Sequence, residues 1–140
     1  MSSPSPYWTI TKMVAGEAVP GLTFTVFVGD GEDAEVEGFY FEFQRDLGDQ
    51  PEEQDVRNET DSYCVVNEAD GVHYGGVEEV AITGNVLQLR FNDEAVEELE
   101  LPSNLVPLSI GPNIDAEVLR AGLRRVFSYG NPQRVPVMNL

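Results

Sequence analysis

Positive charge is scarce in this sequence. One lysine, Lys12, and seven arginines face 25 aspartates and glutamates, and the formal net charge is −17. Nucleic-acid binding needs cations that replace the counterions around phosphates, so this balance argues against a nucleic-acid partner. Docking on anionic lipid is disfavoured for the same reason. There is one cysteine, Cys64, which excludes an internal disulfide and a cysteine zinc cluster. There is one histidine, His73, so any imidazole chemistry within the chain must pass through it. No apolar run approaches the roughly 20 residues of a membrane span. Met1 to Pro6 has neither the basic stretch nor the apolar segment of a signal peptide. The expectation is a soluble, cytoplasmic protein with neither a nucleic-acid nor a membrane partner.

What is present reads as one domain over 1–140, long enough to bury an ordinary core. Residues 1–6, rich in serine and proline, read as a disordered terminus. Tyr7 to Val14 has strand character, and Gly16 to Gly21, with Pro20, is expected to break the chain. Leu22 to Val28 alternates, with Leu22, Phe24, Val26 and Val28 on one face, and Val36 to Phe43 places Phe39, Phe41 and Phe43 together. Period two with β-branched and aromatic residues is the mark of a strand.

The clearest local signal flanks Gly84-Asn85, a dipeptide suited to a tight hairpin. With those two residues as the loop, Val80 faces Leu89 and Ile82 faces Leu87 on an apolar side. Ala81 faces Gln88 and Glu79 faces Arg90 on the other side. A slip of one residue would destroy both patterns, so the register is specified. Asp70-Gly71 predicts a second hairpin, joining 63–67 to 72–74 and setting His73 opposite Glu68. Gly75-Gly76 then permits a bend, and the whole reads as an antiparallel meander over 62–91.

Two helices are expected late in the chain. Asn92 caps a short one, with Asp93 and Glu94 at its positive end and Pro102 as its stop. Leu105 to Ile110 reads as a strand. Asp115 caps the second helix, whose apolar stripe is Val118, Leu119, Gly122, Leu123, Val126 and Phe127. Arg120, Arg124 and Arg125 lie toward its negative end and Gly130 marks its stop. The fold class is therefore α+β: a mainly antiparallel β-sheet with a short helix and a C-terminal helix packed on it.

Candidate chemistry is thin. His73 reads as a solvated cross-strand partner of Glu68, and Cys64 as a small core residue with no neighbouring cation to make it a thiolate. Gly29 to Glu35 loosely follows a calcium loop but, counted from Asp30, lacks its glycine at position six and its glutamate at twelve. Gly71 to Gly76 has phosphate-loop spacing, but Val77-Glu78 stands where lysine and serine or threonine are needed. Asn58-Glu59-Thr60 is a glycosylation triplet that matters only in a secreted chain. No catalytic, cofactor-binding or metal-binding residue is expected.

The surface field remains. Residues 46–61 hold seven carboxylates against Arg57, a sum of −6, with almost no apolar residue, and read as an acidic loop. The charge serves either solubility or a basic partner whose positive cleft an acidic protein can blanket. On the second view Glu52, Glu53, Asp55, Glu59 and Asp61 are the contact candidates, with Tyr63, Tyr74 and Tyr40 as aromatic anchors wherever they are exposed.

The run from Tyr63 to Val80 (YCVVNEADGVHYGGVEEV) resembles the central block of the immunity protein 10 family. So do Leu87-Gln88-Leu89 leading to Glu94-Ala95-Val96-Glu97-Glu98-Leu99, and the arginine-bearing run from Leu119 to Phe127. The similarity extends over 62–127, while residues 1–61 match in strand character alone. The resemblance implies a bacterial immunity protein of a polymorphic toxin system, which stays in the producing cell and binds a toxin domain. It implies no catalysis, no cofactor and no catalytic residues. The function expected is stoichiometric occlusion of a cognate toxin domain, itself basic, and self-association is left open. A small acid-dependent hydrolase, marked by a carboxylate pair in a buried pocket, is the rival from another class. A structural or assembly subunit, marked by a large apolar patch, is the third reading.

Overall fold

The computed structural model describes residues 7–31, 38–46 and 62–140. Within them the chain forms two five-stranded sheets and two helices, the α+β class expected from the sequence. The first sheet has the order β1 (Trp8–Ile10), β9 (Leu105–Ile110), β8 (Val86–Phe91), β7 (Val77–Thr83) and β10 (Val137–Asn139). The second runs in sequence order: β2 (Lys12–Val19), β3 (Thr23–Gly29), β4 (Tyr40–Asp46), β5 (Cys64–Asn67) and β6 (Val72–Tyr74). The second sheet is antiparallel throughout. In the first, both edge strands, β1 and β10, join parallel to their neighbours.

The core lies between the sheets. Alternation places Phe24, Val26, Val28, Phe41, Phe43 and Val65 on the inner face of the second sheet, all buried. Half of this face meets the first sheet, where Phe91 and Trp8 stack on Phe41 at 5.8 and 5.9 Å between ring centres. The other half is covered by helix α2 (Ala116–Phe127), as anticipated, with Phe127 edge-on to Phe43 and Tyr63. Asp115 caps α2 by accepting from the backbone N–H of Glu117 and Val118. Gly122 lets the helix close on the sheet: a Cβ there would come within 2.9 Å of Val26 Cγ2. Val118, assigned to the buried stripe, is instead 45% exposed, because it sits at the rim of the face that α2 buries.

The Gly84-Asn85 hairpin has the predicted register, with Val80 opposite Leu89, Ile82 opposite Leu87 and Glu79 opposite Arg90. Other expectations need correction. Tyr7 to Val14 is not one strand: β1 and β2 belong to different sheets and the chain crosses at Thr11, whose N–H donates to Gly29. Residues Gly16 to Val19 continue β2, with a register shift between Glu17 and Val19 in place of a break. The stretch 62–91 is not one meander, since β6 closes the second sheet and β7 starts in the first. Gly75 and Gly76, at φ +74 and +86, make the turn between them. The strand β10 and the 3-10 turn Pro132–Arg134 carry no strong periodic signal and were not anticipated. The disordered terminus expected at 1–6 and residues 47–61 of the acidic stretch lie outside the described residues, as do Asp33 and Glu35 of the calcium-like run; Asp46 ends β4.

Candidate functional site

The chain's one imidazole, His73, lies in the edge strand β6. In β6 the side chains alternate, so Val72 and Tyr74 point outward and His73 points inward, opposite Val65. The predicted pairing of His73 with Glu68 is therefore wrong, and His73 is buried where a solvated contact was expected. The connection from β5 to β6 is longer than a two-residue hairpin. The Asn67 carbonyl accepts from the Asp70 N–H, and the Gly71 carbonyl accepts from the Asn67 N–H. Asp70 takes φ +59 in this turn. Gly71 is needed for close approach to the short helix α1 (Asp93–Glu98): a Cβ there would stand 2.6 Å from the Glu98 carbonyl oxygen and 2.9 Å from Leu99 Cα. Asn67 Nδ2 donates to the Leu99 carbonyl at 2.7 Å and ties the same loop to the same helix.

These contacts bring the end of α1 to β6, and Glu98 Oε2 pairs with His73 Nδ1. Asn92 caps α1 as predicted, its Oδ1 accepting from the Ala95 N–H. Glu94 lies one turn before Glu98 on the same side of the helix. The three side chains border an open cavity of about 580 Å³, walled also by Glu78, Tyr74 and Arg134. This cluster was missed in the sequence. The spacing of Glu94 and Glu98 was legible there, but the histidine that joins them depends on the β5–β6 register.

The predicted contact residues fare differently. Glu52, Glu53, Asp55, Glu59 and Asp61 lie outside the described residues. Tyr63 is fully buried, so it does not meet the exposure that an anchor requires. Its hydroxyl accepts from the Val77 N–H at 3.0 Å and donates to the Arg134 carbonyl at 3.1 Å. Burial pushes this phenol well above its ordinary range. Tyr74 is 40% exposed on the outer face of the second sheet, beside Val72. Tyr40 is half-buried and stacks on Phe27.

Cys64 lies opposite Tyr74 on the outer face, whereas His73 faces inward, so the two cannot form a nucleophile–base pair. Burial, and secondarily the nearby Glu42 carboxylate, push the thiol up to about 11, which leaves it protonated at neutral pH. Glu68 is the described carboxyl that departs upward, through burial first and through Asp30 after the lowering effect of its backbone hydrogen bonds. Asp30 serves the backbone, accepting from the Phe39 N–H at 3.0 Å.

The model of the family described as Immunity protein 10 matches residues 10–117. The chain belongs to this family. The match starts well before the stretch that carried the resemblance in the sequence, and so takes in β2 to β4. It ends in the first turn of α2, before the arginine-bearing run that starts at Leu119. No curated protein and no solved structure gives a significant match to the chain. Membership implies an immunity protein directed against a toxin. Membership also implies a toxin as partner and suggests a non-enzymatic role. Among the described residues no helix is long and apolar enough to cross a membrane.

Proposed function

We propose that this protein neutralises a cognate toxin domain of a polymorphic toxin system by binding it stoichiometrically and covering its working surface. The chain 1–140 acts as one domain in the cytoplasm of the producing cell, without turnover or cofactor. The observation that carries the reading is a charge of −17 on a member of an immunity family. Self-repulsion on this scale opposes compaction, and a basic partner turns it into attraction and faster encounter. The contact residues are Glu52, Glu53, Asp55, Glu59 and Asp61, with Tyr74 as an aromatic anchor. Tyr74 supports this role by its exposure on an edge strand.

The test is stopped-flow association with the purified toxin domain encoded beside this protein, at several ionic strengths. A Glu52→Lys, Glu53→Lys, Asp55→Lys triple variant is expected to associate about tenfold more slowly, with a flatter salt dependence. Unchanged kinetics exclude the acidic stretch as a contact. Failure of co-expressed wild-type protein to rescue cells carrying the toxin domain, or turnover of a small substrate, overturns the reading as a whole.

A further inference from the structure

We propose that His73, Glu94 and Glu98 form a divalent-cation site of the class that takes Zn²⁺. One ligand atom from each lies within 4.8 Å of the other two. A cation bound at about 2.0–2.2 Å from each needs them about 3–4 Å apart. Glu98 already pairs with His73 Nδ1 and has to yield that direct contact to a shared cation, and the remaining closure falls to the exposed Glu94.

The imidazole is held. His73 is 6% exposed, and Gly76 packs so closely on one edge of the ring that a Cβ there would lie 2.5 Å from Cδ2 and 2.7 Å from Nε2. The other edge, with Nδ1, faces the Glu98 carboxylate. A buried imidazole beside two exposed carboxylates is a preorganised first ligand with solvent-accessible completing ligands. Glu94 and Glu98 also repel each other at their helical spacing, and a shared cation reverses the sign of that interaction.

The donor set selects the ion class. One imidazole and two carboxylates suit a borderline divalent ion. Calcium wants six to eight oxygens and magnesium prefers oxygen with retained waters. The cavity of about 580 Å³ leaves room for water to complete the coordination sphere. Glu78 adds negative charge to its wall, and Arg134 contributes the opposing positive charge at the other side. Arg134 is itself directed to the Tyr74 carbonyl.

The experiment uses the full chain, freed of metal by chelation and titrated with ZnCl₂ by calorimetry. One Zn²⁺ per chain is expected, with a rise in melting temperature that a chelator reverses. Glu94→Gln and Glu98→Gln, both at exposed positions, should each weaken binding by more than the roughly tenfold that loss of an outer partner costs, with circular dichroism confirming the fold. Glu79→Gln, outside the cluster, should bind as wild type does. His73→Gln completes the series where circular dichroism shows it folded. Binding that is equal in wild type and Glu98→Gln, or equally strong for Ca²⁺, marks general counterion association and overturns the site. So does an absence of stoichiometric uptake. None of these outcomes bears on toxin neutralisation, which is read separately.

Discussion

Tyr63 and Cys64 are neighbours in the chain and stand on opposite sides of one sheet, and that alternation sets their chemistry. Tyr63 looks inward, edge-on to Phe127, and its hydroxyl is a junction: it accepts from Val77 at the start of β7 and donates to Arg134 in the 3-10 turn. Tyr63→Phe keeps the ring and leaves the Val77 N–H unpaired in the interior. The expected loss is about 1–3 kcal/mol of stability, measured by urea unfolding. Cys64 looks outward but remains covered. Its folded-state value of about 11, against an ordinary 9.0, means that protonated thiol is favoured by folding. This contribution is fully present below pH 9 and is lost as pH rises through about 11. Thermal unfolding of wild type and Cys64→Ser should show the difference between them shifting against wild type over that window. At neutral pH the native thiol should resist iodoacetamide and react once the chain is unfolded.

At the scale of elements, the connections decide the geometry. The β7–β8 hairpin was legible because its turn and its two-faced pattern are local and agree with each other. The β5–β6 connection was misread because Asp70-Gly71 resembles a hairpin dipeptide, while Gly71 is there to admit the backbone of α1. That purpose lies in a contact with residues 98 and 99, far along the sequence. Gly71→Ala is therefore expected to force β6 and α1 apart, with a loss of about 1–3 kcal/mol. Gly16→Ala, where a Cβ meets nothing within 4 Å, should be neutral or slightly stabilising. Chemical denaturation of both variants distinguishes close backbone approach from a general intolerance of substitution at glycine.

At the scale of the whole molecule, two sheets and α2 enclose one apolar cluster while a field of −17 surrounds it. Outside this core β6, α1 and the 3-10 turn meet at a seam, and the described cluster of His73, Glu94 and Glu98 lies on it. The seam and the acidic stretch at 47–61 are different instruments. The first offers a small set of buried and exposed ligands. The second offers charge with almost no apolar residue, the composition that steers encounter more than it holds a complex.

Composition and periodicity by themselves determined the anionic character, the α+β class, the caps Asn92 and Asp115, and the register across Gly84-Asn85. Each of these rests on residues a few positions apart. Tertiary structure alone decided which sheet each strand joins, why β1 and β10 add in parallel at the edges, and that His73 turns from Glu68 to Glu98. Those outcomes depend on loop-to-helix contacts between distant parts of the chain, such as Gly71 against Glu98, and no local pattern encodes a contact of that separation.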